Sequence, residues 1–121
     1  MTTWSNKQEP KQAEVWLAHL NFSDKPSIGK VRPILILDAT LSTEKQFIVT
    51  SLKITSKNQI DSDVKMAIEN WKACGLKKPS YVRLDQVFKI SENKLLKGAP
   101  IGLMDVQDFS RIVSYFEGTS F

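Results

Sequence analysis

Apolar and polar positions along the chain follow two periods. Residues 14–20 (EVWLAHL), 32–38 (RPILILD) and 46–54 (QFIVTSLKI) are strand-length segments rich in branched and aromatic residues. The second is apolar on both faces and reads as a central strand, with Pro33 expected at its beginning because proline cannot donate to a ladder. Residues 63–68, 80–84 and 86–90 read as three further short strands. The stretch 21–30 (NFSDKPSIGK), with Pro26 and Gly29, reads as a ten-residue loop, long for a hairpin connection. Residues 69–74 (ENWKAC) read as one or two helical turns closed by Gly75. Near the C-terminus Val106, Phe109, Ile112, Val113 and Phe116 recur at helical spacing, with Asp105 as cap and Asp108 in the first turn, up to Gly118. The pattern predicts a mainly β fold with α, a small antiparallel barrel carrying a C-terminal amphipathic helix.

At 121 residues the chain is one domain's length. Residues 1–12 are polar and read as a flexible N-terminal arm, so the domain is placed at 13–118. The longest apolar run, 34–37, is strand-sized, which predicts no membrane span, and the first twelve residues hold no apolar signal core. One cysteine and one histidine make neither an internal disulfide nor a metal cluster, so no cofactor and a reducing cytoplasm are expected. The net charge of +4 favours an anionic partner, with nucleic acid the first candidate, although a lysine-rich solvated surface accounts for the charge at least as well. Only Arg32, Arg83 and Arg111 are arginines, the residue suited to bidentate phosphate contact.

Familiar catalytic patterns are missing. Gly29 stands alone before Lys30, so there is no glycine-rich phosphate loop. Cys74 reads as a small core residue, His19 as a structural histidine within its strand, and Asp61 and Asp63 as solvated loop carboxylates. Two places remain. Lys30 and Arg32 stand where the loop enters the apolar strand, and Pro33 with the run behind it would hold the guanidinium in place, as charge stabilisation requires. In residues 49–57 (VTSLKITSK), alternation puts Ile48, Thr50, Leu52 and Ile54 on an inward face and Ser51, Lys53 and Thr55 on the other. Thr50 then reads as a core threonine and Thr55 as the exposed hydroxyl, with a turn residue bonding its own backbone as the plainer alternative.

With EVWLAHL, KVRPILIL, FIVTSLKITSK and NWKACGLKKPSYVRLDQVFKI in this order, followed by an amphipathic helix, the chain resembles the MazF/PemK/Kid family of toxin ribonucleases over roughly residues 12–116. The resemblance implies an SH3-like antiparallel barrel that forms a homodimer, cleaves single-stranded RNA at short sequences without metal, and is silenced by a cognate antitoxin peptide. It also implies that Arg32 and Thr55 occupy catalytic positions, with Ser27, Lys30, Lys53, Ser56 and Lys57 as RNA-binding residues. A guanidinium keeps its proton above about pH 12, so Arg32 suits charge stabilisation better than acid catalysis, and Thr55 suits orientation of the 2′-hydroxyl. Many members carry Gly-Ser-Glu-Gln before the Arg-Pro strand, where this chain has Lys25-Pro26-Ser27-Ile28-Gly29, and His19 stands where relatives often have aspartate. Those changes bear on cleavage rate and base preference. Two other readings stand beside the ribonuclease: a gyrase-blocking toxin of the CcdB type, and a non-catalytic nucleic-acid or protein adaptor. The tail EGTSF lacks the tryptophan that the gyrase reading would favour.

Overall fold

The computed structural model describes the backbone of residues 8–22, 25–56 and 64–119, with side chains at 8–20, 29–56 and 64–117. Six strands are present: β1 (Glu14–Phe22), β2 (Lys25–Leu41), β3 (Phe47–Thr55), β4 (Lys65–Ala67), β5 (Tyr81–Ser91) and β6 (Gly102–Leu103). Among the described residues one helix, α1 (Val106–Thr119), follows them, and a 3-10 turn covers Glu92–Lys94. The strands form one curled antiparallel sheet in the order β4-β5-β3-β2-β1-β6, a half-barrel with α1 as its helix.

The expected loop at 21–30 is mostly sheet. β1 and β2 continue into it, with Leu20 opposite Lys30 and Asn21 opposite Gly29, until two residues separate the strands. Ladder bonds are made by the backbone, so a polar stretch pairs as readily as an apolar one when its neighbour strand is already fixed. Pro33 accordingly lies inside β2, opposite Leu17, and not at its beginning. The ladder from β2 to β3 starts at Ile34, so the missing N–H falls where β2 has one partner strand. The two strands expected at 80–84 and 86–90 are one, β5, interrupted by a wide bulge. Leu52 pairs with Val87 and Ile54 with Val82, so Lys53 alone on β3 faces residues 83–86 on β5. The strand expected at 63–68 shrinks to the three residues of β4. Residues 70–75 form consecutive turns closed by Gly75 at φ 77°, as the sequence indicated. Of the residues read as an arm, 8–12 lie against the sheet: Gln8 N donates to Gly98 O at 2.8 Å, and Pro10 is buried.

β2 is buried on both faces, and the sheet therefore has two cores. Leu35 packs with Val15, Leu52, Val82 and Ile112 under the helix, whereas Ile34 and Ile36 pack with Trp16, Ala18, Val49 and Leu95 on the opposite face. The same duplication corrects the reading of β3. Leu52 and Ile54 enter the first core, but Val49 and Ser51 are fully buried on the other side, and Thr50 is only half-buried. Each fully buried branched side chain contributes about 1.5–3 kcal/mol.

Two seams close the fold. At the first, the buried Asp108 of α1 accepts from the backbone N–H of Glu69 (3.1 Å) and of Asn70 (2.9 Å) and pairs with Arg111. Burial alone would raise its pKa; the Asn70 N–H, the Arg111 guanidinium and the Glu69 N–H outweigh that and hold it below the ordinary 3.8. At the second, a Cβ on Gly102 would lie 2.2 Å from the Cys74 carbonyl carbon, and one on Gly75 would lie 2.0 Å from the Ile101 carbonyl oxygen.

Two outcomes follow. Gly102→Ala is expected to lower stability by about 2 kcal/mol or more, because the obstacle is backbone that cannot rotate away; thermal unfolding measures it. Asp108→Ala is expected to cost about 1–3 kcal/mol, since it leaves two part-buried backbone N–H bonds and a partly exposed guanidinium without their acceptor. Because the folded pKa of Asp108 is lowered, its contribution is complete above its unfolded value of 3.8 and disappears as pH falls through the folded value. Urea midpoints followed from pH 6 to pH 2 should therefore show a steeper acid loss in the wild type than in Asp108→Ala.

Candidate nucleic-acid-binding face

Strand alternation assembles the candidate residues on the face of the second core. Arg32 stands two residues before Ile34 on β2 and opposite Ala18 of β1, both members of that core, so its side chain leaves the same face. Lys30 follows by the same step. On β3, Lys53 lies opposite Ile34 and two residues beyond Ser51; Thr55, half-buried and opposite Tyr81 of β5, is two further on. Continued in register, the β2–β3 ladder sets Arg32 opposite Thr55. Ser56 is exposed just past the strand. Lys57, Asp61, Asp63 and the Ser27 side chain lie outside the described residues.

Each arginine has a distinct setting. Arg111 is tied to Asp108, and Arg83 makes a two-pronged pair with Asp85 at 3.0 and 2.8 Å. Arg32, half-buried, has no carboxylate partner among the described residues; its Nη1 donates only to the neighbouring Val31 carbonyl at 3.2 Å. Among the described residues nothing neutralises this guanidinium, which suits an incoming anion.

The sequence reading missed two features of this face. The first is the Arg83–Asp85 pair. Val82 and Leu84 are buried in the first core, so Arg83 turns to the other face, within the β5 bulge and next to Thr55 across the sheet. Its hydrogen bonds hold the Asp85 carboxyl below the ordinary 3.8. An Arg-x-Asp spacing on a strand was the available signal, and reading 80–84 and 86–90 as separate strands hid it.

The second is a groove of about 420 Å³. Half-buried Leu20, Phe88 and Ile90 form its apolar floor, with Lys53 beside them; exposed His19, Gln86, Lys89 and Lys94 line it above. His19 is thus an exposed groove residue and not the structural histidine expected. Among the described candidates Lys53 lines the groove, and Arg32 and Thr55 do not.

Cys74 is fully buried, as expected. Burial first, then the charges of Asp108 and Asp105, push its thiol up to about 11. Among the described residues no group of three His, Cys, Asp or Glu side chains could hold a metal ion, and no helix is long and apolar enough to cross a membrane.

The model of one protein family, the PemK-like, MazF-like toxins of type II toxin–antitoxin systems, matches residues 11–117. The chain belongs to this toxin family. None of the curated proteins matches it. Among solved structures it is similar to an endoribonuclease in complex with its cognate antitoxin from Mycobacterial species, with a TM-score of 0.64 at 15% identity, over 93% of this chain and 99% of that one. At that identity the likeness concerns the fold, a curled antiparallel half-barrel with one C-terminal helix.

In the native toxin Cys74 should resist alkylation by iodoacetamide at pH 8 for hours and react within minutes in 6 M guanidinium; mass spectrometry distinguishes the two. Rapid native labelling would contradict the burial.

Proposed function

We propose that this toxin is an endoribonuclease that cuts single-stranded RNA, mRNA above all, at short sequences and so arrests translation in the cytoplasm. Arg32 carries the reading: it is a held cation without a carboxylate partner among the described residues, in register with a threonine and beside a basic groove. Family membership supports it independently.

The reaction needs side-chain chemistry and solvent. The 2′-oxygen attacks the adjacent phosphorus, forming an O2′–P bond and breaking the P–O5′ bond, so one proton leaves the 2′-hydroxyl and solvent water supplies one to the departing 5′-oxygen. Arg32 stabilises the negative charge that builds on the phosphoryl oxygens without giving up its proton. Thr55 orients the 2′-hydroxyl. Asp85, kept ionised by Arg83, is an oxygen acceptor on a neighbouring strand and suits the proton leaving that hydroxyl. Lys30, Lys53 and Ser56, with Ser27 and Lys57, serve the flanking phosphates and sugars; unpaired RNA fits because only its bases can leave the stack. A homodimer and an antitoxin peptide that occupies the basic face complete the proposal, in line with the antitoxin bound by the structural neighbour.

The test is cleavage of a long mixed-sequence RNA in EDTA, with ends mapped to the nucleotide. Wild-type protein should cut at one short recurrent motif, and Arg32→Ala should slow cutting by about 100-fold or more. Intact RNA with both proteins, or the same cuts with both, overturns the reading and turns attention to gyrase inhibition.

A further inference from the structure

The groove is separate from Arg32 and Thr55, neither of which lines it, and its make-up is unlike a generic basic patch. Its floor is apolar and aromatic: Phe88 and Ile90 of β5 pack on the second core, so the Phe88 ring is supported from below while one side meets the groove. Its upper margin is cationic or polar, with exposed Lys89 and Lys94, and among the described residues no carboxylate lines it. At about 420 Å³ it has room for one base with its sugar. A flat hydrophobic ring ringed by ammonium groups suits an aromatic heterocycle attached to phosphates, since stacking takes any base and the lysines take the backbone. An acidic peptide would use the lysines but leave the aromatic floor with nothing planar to cover.

We infer that this groove is a nucleotide subsite of the toxin, in which the unpaired base beside the cleaved bond stacks on Phe88 while Lys94 and Lys53 hold its phosphates. The inference rests on the ribonuclease reading for the phrase "cleaved bond" and on the groove alone for the binding. Lys53 connects the two places: it lines the groove and is opposite Ile34, two residues from Arg32. A strand that puts a phosphate on Arg32 therefore carries its next nucleotide across Lys53 onto Phe88. Among the lining side chains Phe88 is the stacking surface and Lys94, exposed on the 3-10 turn, an ion-pairing one.

The test uses the full-length protein and a fluorescein-labelled single-stranded DNA pentamer, which lacks the 2′-hydroxyl and cannot be cut. Phe88→Ala is expected to weaken binding about tenfold or more, with Phe88→Trp restoring it, because stacking needs a ring at this place. Lys94→Ala, a fully solvated change that leaves the core untouched, is expected to weaken binding severalfold and to flatten the dependence of log K on log salt by nearly one. Wild-type affinity in both Phe88→Ala and Lys94→Ala overturns the inference, as does failure of the wild type to bind the pentamer. Displacement of the pentamer by a short polyglutamate peptide whose own binding falls equally in Phe88→Ala also overturns it, in favour of an acidic protein partner. The RNA-cleavage assay separates the two failures. RNA cut as proposed with pentamer binding insensitive to the groove variants removes the subsite alone. RNA left intact with pentamer binding dependent on Phe88 removes the ribonuclease reading and leaves a single-strand-binding groove.

Discussion

The whole molecule depends on one strand being buried from both sides. Ile34, Leu35 and Ile36 of β2 are all fully buried, and consecutive strand residues point to opposite faces. A flat sheet with one wet face cannot satisfy that. The sheet instead curls, with α1 covering one face and the folded-over ends of the other closing on Trp16, Ala18 and Leu95. Arg32 inherits its position from this arrangement. It sits at the last step before the doubly buried run, so its backbone is as rigid as the core while its side chain is only half-buried. Rigidity of backbone with reach of side chain is what a charge-stabilising group needs.

Charge is distributed by the same logic. Of three arginines, one ties helix to turn through Asp108, one pairs with Asp85, and Arg32 has no carboxylate partner among the described residues. Lys53, Lys89 and Lys94 line the groove, and among the described residues no carboxylate does. A net charge of +4 says little by itself; the convergence of Lys53, Lys89 and Lys94 on one groove gives part of it a place.

Much of this was legible in the sequence. The strand positions, the terminal helix, the buried Cys74 and the closing Gly75 follow from period and turn chemistry. The family resemblance rested on Arg-Pro before an apolar run and Ile-Thr-Ser at the end of a strand. What was not legible depended on curvature. Alternation says which residues share a face but not that both faces will be covered, so Ser51 was placed outside and Thr50 inside. The polar stretch 21–30 concealed its pairing because a neighbouring strand supplied the bonds. The groove needed Leu20, Lys53, Phe88 and Lys94 from separate segments, and residues so far apart announce no shared surface before the sheet bends. The Arg83–Asp85 pair was readable in principle, hidden by a bulge taken for a break.

The two close backbone approaches, Gly102 against Cys74 and Gly75 against Ile101, have a temporal meaning as well. β1, β2, β3 and β5 contain nearly all of the basic face, and they are made first as the chain leaves the ribosome. The pieces that lock them, β6 and α1, come last, and the glycine seam cannot form until residue 102 has emerged. Until then the candidate face lacks the seam and the helix that close the first core, so the order of synthesis puts the fastening last.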